Sequence, residues 1–214
     1  MKKILLVIIS LFSLAIGAKG QGCTPTGDQT TYGTGNIWIG YVYGNKNFKT
    51  YQGYVNEGAS TSPNFDQNFG GDDVNYATFG CAVTTKNFSV RYKLTKTFAS
   101  GKYMFTVGGD DGYRLSLDGG ATWVIDEWNK QLYFTTNYTA TLNGSYNMVL
   151  EYYEQNDANR ISFSVAAICS ATENTTVYGT GNIWNGYVYD GTNFADYSGM
   201  VNEGSAGSPD FDQS

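Results

Sequence analysis

Residues 100–119 read Ser100-Gly101-Lys102-Tyr103-Met104-Phe105-Thr106-Val107-Gly108-Gly109-Asp110-Asp111-Gly112-Tyr113-Arg114-Leu115-Ser116-Leu117-Asp118-Gly119. Tyr103, Phe105 and Val107 fall on one face of an extended chain, and Leu115 and Leu117 on one face of the next segment. That is the period-two signature of two strands. Between them Gly108–Gly112 is turn chemistry, with Asp-Gly a leading hairpin signal. Outward from this pair, Phe88–Leu94, Thr122–Asp126, Tyr138–Leu142, Tyr146–Tyr153 and Ile161–Ile168 are further short runs of β-branched and aromatic residues. Ile161, Phe163 and Val165 share one face. Ala99-Ser100-Gly101, Asp118-Gly119-Gly120, Asn143-Gly144-Ser145 and Gln155–Asn159 punctuate these runs as turns. Strands this short and closely spaced predict an all-β chain, an antiparallel β-sandwich. The region before Phe88 reads as looser, with Trp38, Tyr41, Tyr43 and Phe48 packing on the sandwich.

An internal repeat sets the domain organisation. Tyr32-Gly33-Thr34-Gly35-Asn36-Ile37-Trp38 recurs letter for letter at 178–184, and the same offset of 146 gives 24 identities over the 37 positions 32–68. One unit is thus close to a common domain size. The expected layout is a leader over 1–20, a β-sandwich domain over 21–169, and over 170–214 the first part of a second, homologous unit. Cys23 and Cys169 are equivalent under the offset, so the expected bridge is Cys23–Cys81, with Cys81–Cys169 the alternative pairing.

Met1-Lys2-Lys3, an apolar run from Ile4 to Ile16 and the small residues Gly17-Ala18 have the parts of a secretory signal peptide. The expected location is therefore secreted or cell-surface, with no membrane insertion of the mature chain. Removing 1–20 takes away three lysines and leaves ten basic residues against nineteen acidic, a net charge of −9. Such a surface repels nucleic acid. The chain contains no histidine, which removes the commonest general base. It also lacks a Gly-x-Ser-x-Gly elbow, and no separated carboxylate pair stands out as a glycosidase dyad. The expectation is a chain that is not an enzyme.

The run NFSVRYKLTKTFASGKYMFTVGGDDGYRLSLDG (residues 87–119), then WVIDEW (123–128) and GSYNMVLEYYEQNDANRISFSV (144–165), resembles the protective-antigen-type or PA14 domain and its flocculin and GLEYA adhesin relatives. That resemblance implies a β-sandwich that commonly binds carbohydrate. In the adhesin branch, calcium is held between a loop with two adjacent aspartates and a second loop after the EYYE-like strand. Here these are Asp110-Asp111 and Gln155-Asn156-Asp157-Ala158-Asn159. The resemblance implies Asp110, Asp111, Asn156 and Asp157 as calcium ligands, and Asp110, Asp111, Gln155, Asn156 and Asn159 as contacts to a glycan or cell-surface polysaccharide. Adjacent aspartates normally point apart, so using both on one ion requires an unusual backbone, which the adhesins provide with a cis peptide. Asp72-Asp73 reads as a solvated loop, and Trp128 as packing rather than a sugar platform. Two other functions fit the same sequence: a non-catalytic spacer repeat of a large surface protein, and a targeting module of a secreted glycosidase.

Overall fold

The computed structural model describes residues 22–168, 177–194 and 196–212. The expected leader, Cys169 and the junction between the two units lie outside the described residues. In chain order the strands are β1 (Trp38–Tyr43), β2 (Tyr51–Glu57), β3 (Phe65–Asn68), β4 (Asn75–Tyr76), β5 (Phe79–Gly80), β6 (Val83–Thr84), β7 (Phe88–Asp110) and β8 (Gly112–Ser116). They continue as β9 (Ile125–Glu127), β10 (Phe134–Glu154), β11 (Arg160–Ile168), β12 (Ile183–Asp190) and β13 (Asp196–Gly204). Every strand pair is antiparallel, and the described residues contain no helix.

The sandwich is made by one long ribbon doubled over. β7 (23 residues) and β10 (21 residues) pair along nearly their whole length. Their first and second halves belong to different leaves. One leaf runs β5-β2-β1-β7-β10-β8-β9, using Phe88–Phe98 of β7; the other joins β3 and β11 to the second half of β7. At the bend, Leu142 pairs with Gly101 but Gly144 pairs with Phe98, so β7 carries one extra residue there. A bulge of this kind flips the side-chain phase of the strand that holds it. Accordingly Phe88, Val90, Tyr92, Leu94 and Phe98 are core-facing before the bend, and Phe105 and Val107 after it. The expected turns Ala99–Gly101 and Asn143–Ser145 are therefore the fold line within two continuous strands.

The core forms where the leaves meet. Trp38 of β1 packs edge-on to Phe163 of β11 at 4.9 Å, and Tyr92 of β7 meets Phe65 of β3 at 5.1 Å. The Trp38 indole N–H, buried with the ring, donates to the Pro63 carbonyl at 3.0 Å. β1 and β2 belong to the main leaf, a correction to the looser reading of this region. Gly40 hides the alternation: a Cβ there would stand 2.6 Å from the Tyr92 ring, so a side chain is excluded where the pattern needs one. Cys23 and Cys81 are disulfide-bonded, with Cα atoms 5.3 Å apart.

β12 and β13 form a separate hairpin with the register of β1 and β2. Trp184 pairs with Glu203 as Trp38 pairs with Glu57, and the same bulge follows Val188 as follows Val42. The Trp184 indole donates to Pro209 at 3.0 Å, repeating the Trp38–Pro63 bond. Trp184 is 57% exposed and Trp38 fully buried, because β1 has β7 on its other edge and β12 has only β13 among the described residues.

Candidate metal and glycan site

Two connections cross between the leaves side by side at one rim. Asp111 links β7 to β8, and residues 155–159 link β10 to β11. Glycines allow the first crossing to be this tight: a Cβ on Gly112 would lie 2.3 Å from the Tyr153 ring, and one on Gly109 2.5 Å from the Tyr113 ring. The Asp110–Asp111 peptide is cis.

Both carboxylates line one pocket of about 310 Å³, together with Lys130, Gln131, Leu132, Asn156, Asp157 and Ala158. Asp110 is 6% exposed and Asp111 1%. The Asp111 carboxylate accepts the backbone N–H of Gln155 at 2.9 Å and of Gln131 at 3.2 Å, which ties the two crossings together. The Asp110 carbonyl accepts the Tyr152 hydroxyl at 2.6 Å. Burial pushes both aspartates above the usual carboxylate range, and for Asp110 the Asp111 charge adds to this.

The second crossing divides its expected residues. Asn156 and Asp157 join the aspartate pair in the pocket; Asn156 donates to the Asp157 carboxylate at 2.6 Å, and Asp157 has a positive φ of 86°. Asn156 and Gln155 also line a broader neighbouring groove of about 700 Å³ with Lys46, Lys86 and Asn87. Gln155 accepts the Lys46 ammonium at 2.8 Å. Asn159, expected at the glycan, lines neither cavity. It is 2% exposed, donates to Gly71 and Thr85 carbonyls at 2.8 and 3.0 Å, and accepts the Gly71 N–H at 2.8 Å. Its amide is a strut for the loop, and that assignment is corrected.

Two residues of the neighbourhood, Glu154 and Lys130, escaped the sequence reading, and Asp72 has a part that the solvated-loop reading did not give it. Glu154 is fully buried beside Asp110 and Asp111, and its Oε1 has no hydrogen-bond partner among the described residues. Its carboxyl is pushed up to about 8 by burial first, then by the charges of Asp111 and Asp110. Asp72 accepts the Asp157 N–H at 2.8 Å and pairs with Lys86 at 2.9 Å, so it braces the second crossing rather than lying free in solvent. Lys130 donates to the Asn156 side-chain oxygen at 2.7 Å and lies 3.8 Å from the Asp157 carboxylate. The acids signal their role only once the ribbon is doubled over, which no local pattern reports.

With the site in view, comparison with known proteins decides the family: the sequence model of the PA14 domain matches residues 38–177. The chain belongs to the PA14 domain family. The matched stretch takes in every strand from β1 to β11 and so the whole doubled ribbon. Among solved structures similar to this PA14 chain is the PA14 domain of the antifreeze protein MpAFP, at 16% identity over 69% of this chain and 90% of that one, TM-score 0.47. A PA14 sugar-binding domain from an RTX adhesin matches at 16% identity over 62% and 90%, TM-score 0.39. The epithelial adhesin 6 A domain from Candida glabrata, solved in complex with Galb1-3GlcNAc, matches at 14% identity over 72% and 86%, TM-score 0.44. No curated protein matches the chain.

Proposed function

We propose that this PA14 chain is an exported carbohydrate-binding module of adhesin type, whose glycan site is organised by a calcium ion at Asp110 and Asp111. The observation that carries the reading is the pair of nearly buried aspartates lining one pocket, beside a third buried acid, Glu154, with an orphaned oxygen. Buried carboxylates without a compensating cation are costly, and an unsatisfied acceptor among them adds to the cost. Among the described residues no three acidic, cysteine or histidine side chains converge on one point. A cation here would be held by the aspartate pair together with amide and backbone oxygens, the ligand chemistry that calcium accepts with its six to eight ligands. Asp110, Asp111 and Asn156 would hold it, with the Asp157 carboxylate, now bonded to Asn156, drawn in on binding. Bound there, calcium supplies positive charge to which a pair of sugar hydroxyls can attach. Gln155 and Asn156 then present amide groups along the adjoining groove to orient the glycan. A disulfide between Cys23 and Cys81 is in keeping with export, as is the leader-like start. No helix among the described residues is long and apolar enough to cross a membrane.

Calorimetric titration of EDTA-stripped residues 21–214 with calcium tests this directly, in the native sequence and in Asp110→Asn/Asp111→Asn. Saturable heat that disappears in the double variant supports the reading and licenses a glycan-array screen of the calcium-loaded protein. Flat heats from native protein shown to be folded by circular dichroism overturn it. The second reading, a spacer repeat, then takes its place. The repetition of the β1–β2 hairpin in β12–β13 favours it, since a tandem array needs no ligand.

A further inference from the structure

A second crevice lies on the outward face of the larger leaf, away from the aspartate pocket. Arg91 of β7, Glu151 of β10 and Arg114 of β8 stand in register across three adjacent strands. Glu151 is 2% exposed and takes both guanidinium groups: Arg91 Nε at 2.5 Å, Arg114 Nε at 2.8 Å and Arg114 Nη2 at 2.6 Å. One carboxylate neutralises only one of the two charges. Lys93, two residues along β7, adds a third cation to the same cavity of about 370 Å³, whose wall includes Trp123. Among the side chains that line this cavity three are cationic and one anionic, in a chain with 19 acidic and 13 basic residues, while Asp126, paired with Arg114 across β9, and Asp28, whose charge acts on Lys93, stand outside the lining. The Lys93 ammonium donates to the Gln29 carbonyl at 3.1 Å, which fixes it beside the crevice, and burial and the neighbouring Arg91 charge hold it below its usual range against the opposing charges of Asp28 and Glu151.

A sheet-face ion network would need only one arginine for Glu151. Both arginines are instead held in place before any ligand arrives. The Arg114 guanidinium lies 4.1 Å from the Trp123 ring and 4.5 Å from the Trp128 ring, and that of Arg91 lies 4.5 Å from the Phe48 ring. The Arg91 and Arg114 side chains remain 32% and 26% exposed, so part of each is open to a ligand. Guanidinium groups fixed by aromatic faces and a buried carboxylate are preorganised for a planar or tetrahedral anion. The Trp123 indole beside them offers an apolar face of the kind a sugar ring covers.

From this arrangement we infer that the crevice is a binding site for an acidic saccharide, its carboxylate or sulfate held by Arg91, Lys93 and the exposed part of Arg114, and its ring against Trp123. This site does not depend on the aspartate pocket and operates without calcium.

The test is calorimetry in excess EDTA on residues 21–214. The probes are a galacturonic acid tetramer, its methyl ester, and a heparin-derived sulfated tetrasaccharide. Binding of at least one acidic probe, weaker at high salt and absent for the ester, is expected. Lys93→Gln and Trp123→Ala should each weaken it by about tenfold or more, whereas Lys102→Gln, the same charge change at an exposed position beyond the bend, should leave it unchanged. Preference for the uronate or the sulfated chain identifies which anionic group the site takes. Circular dichroism of the variants separates lost binding from lost fold. Three results would each overturn the inference: no binding of either acidic probe, binding of the ester equal to that of the acid, or an affinity indifferent to Lys93→Gln in folded protein.

Discussion

The Lys130 ammonium donates to the Asn156 side-chain oxygen over 2.7 Å, which places a cation of the chain's own at the mouth of the aspartate pocket. The same oxygen is wanted by a bound ion. A calcium ion at the proposed site would therefore have to take Asn156 from Lys130 and tolerate a like charge nearby. Replacing Lys130 with Met should tighten calcium binding by roughly three- to tenfold, the modest scale set by the exposure of this lysine and by screening. Calorimetry on the two proteins decides it, and weaker binding in Lys130→Met would show that the lysine helps to build the pocket.

Glu154 makes stability depend on pH in a definite direction. Its carboxyl titrates near 8 in the folded chain, against an ordinary value of 4.5. Between those values the folded chain keeps a proton that the unfolded chain has released, so stability falls as pH rises through this window. Below it the contribution is fully present. Glu57, pushed up to about 7 by burial, acts in the same sense. In EDTA, the urea midpoint should therefore decline from about pH 5 to about pH 8, and Glu154→Gln should remove the upper part of that decline. A native midpoint that climbs over the same range would contradict the assignment.

The Cys23–Cys81 bridge closes a loop with a sequence separation of 58. On the chain-entropy account a loop of that length stabilises by about 4 kcal/mol. Cys23→Ser/Cys81→Ser should lose stability on this scale in equilibrium urea unfolding, with the native strand signature retained by circular dichroism at low denaturant.

Trp38 and Trp184 provide a matched pair for the energetics of the repeat. Their hairpins have the same register, but one ring is sealed between the leaves and the other is 57% exposed. Trp38→Ala should destabilise the domain by about 3–5 kcal/mol, the usual cost of emptying a large aromatic site. Trp184→Ala should leave the main unfolding transition unmoved. Equal losses would mean that the second hairpin is covered by the first unit.

Much of this architecture can be read from local alternation. Tyr103, Phe105 and Val107 announce a strand face, and the offset of 146 announces two homologous units. The doubling of the ribbon is hidden because Ser100-Gly101 and Asn143-Gly144 have turn chemistry yet serve as a bend inside paired strands. β1 is hidden by Gly40, whose missing side chain makes room for Tyr92. At the candidate site, adjacency made Asp110 and Asp111 conspicuous. Glu154 was not, since an acid at a strand end ordinarily faces water, and its burial comes from Asp110 arriving from the other leaf. Asn159 misled for the opposite reason: a loop amide reads as available, and only the Gly71 and Thr85 contacts show that it is used up.

The two crossings at the rim are short, and this ties the pocket to the interior. A link as brief as Asp111 has no slack, so the distance between its carboxylate and Asn156 follows the thickness of the sandwich beneath. That thickness is set there by Phe69, stacked on Tyr152 at 5.6 Å and edge-on to Phe88 at 4.8 Å, while Tyr152 itself reaches up to the Asp110 carbonyl. Those rings act as a spacer gauge. Enlarging or shrinking one of them would resize the mouth above without touching Asp110, Asp111 or Asn156, so the dimensions of this pocket can drift through substitutions no surface inspection would notice.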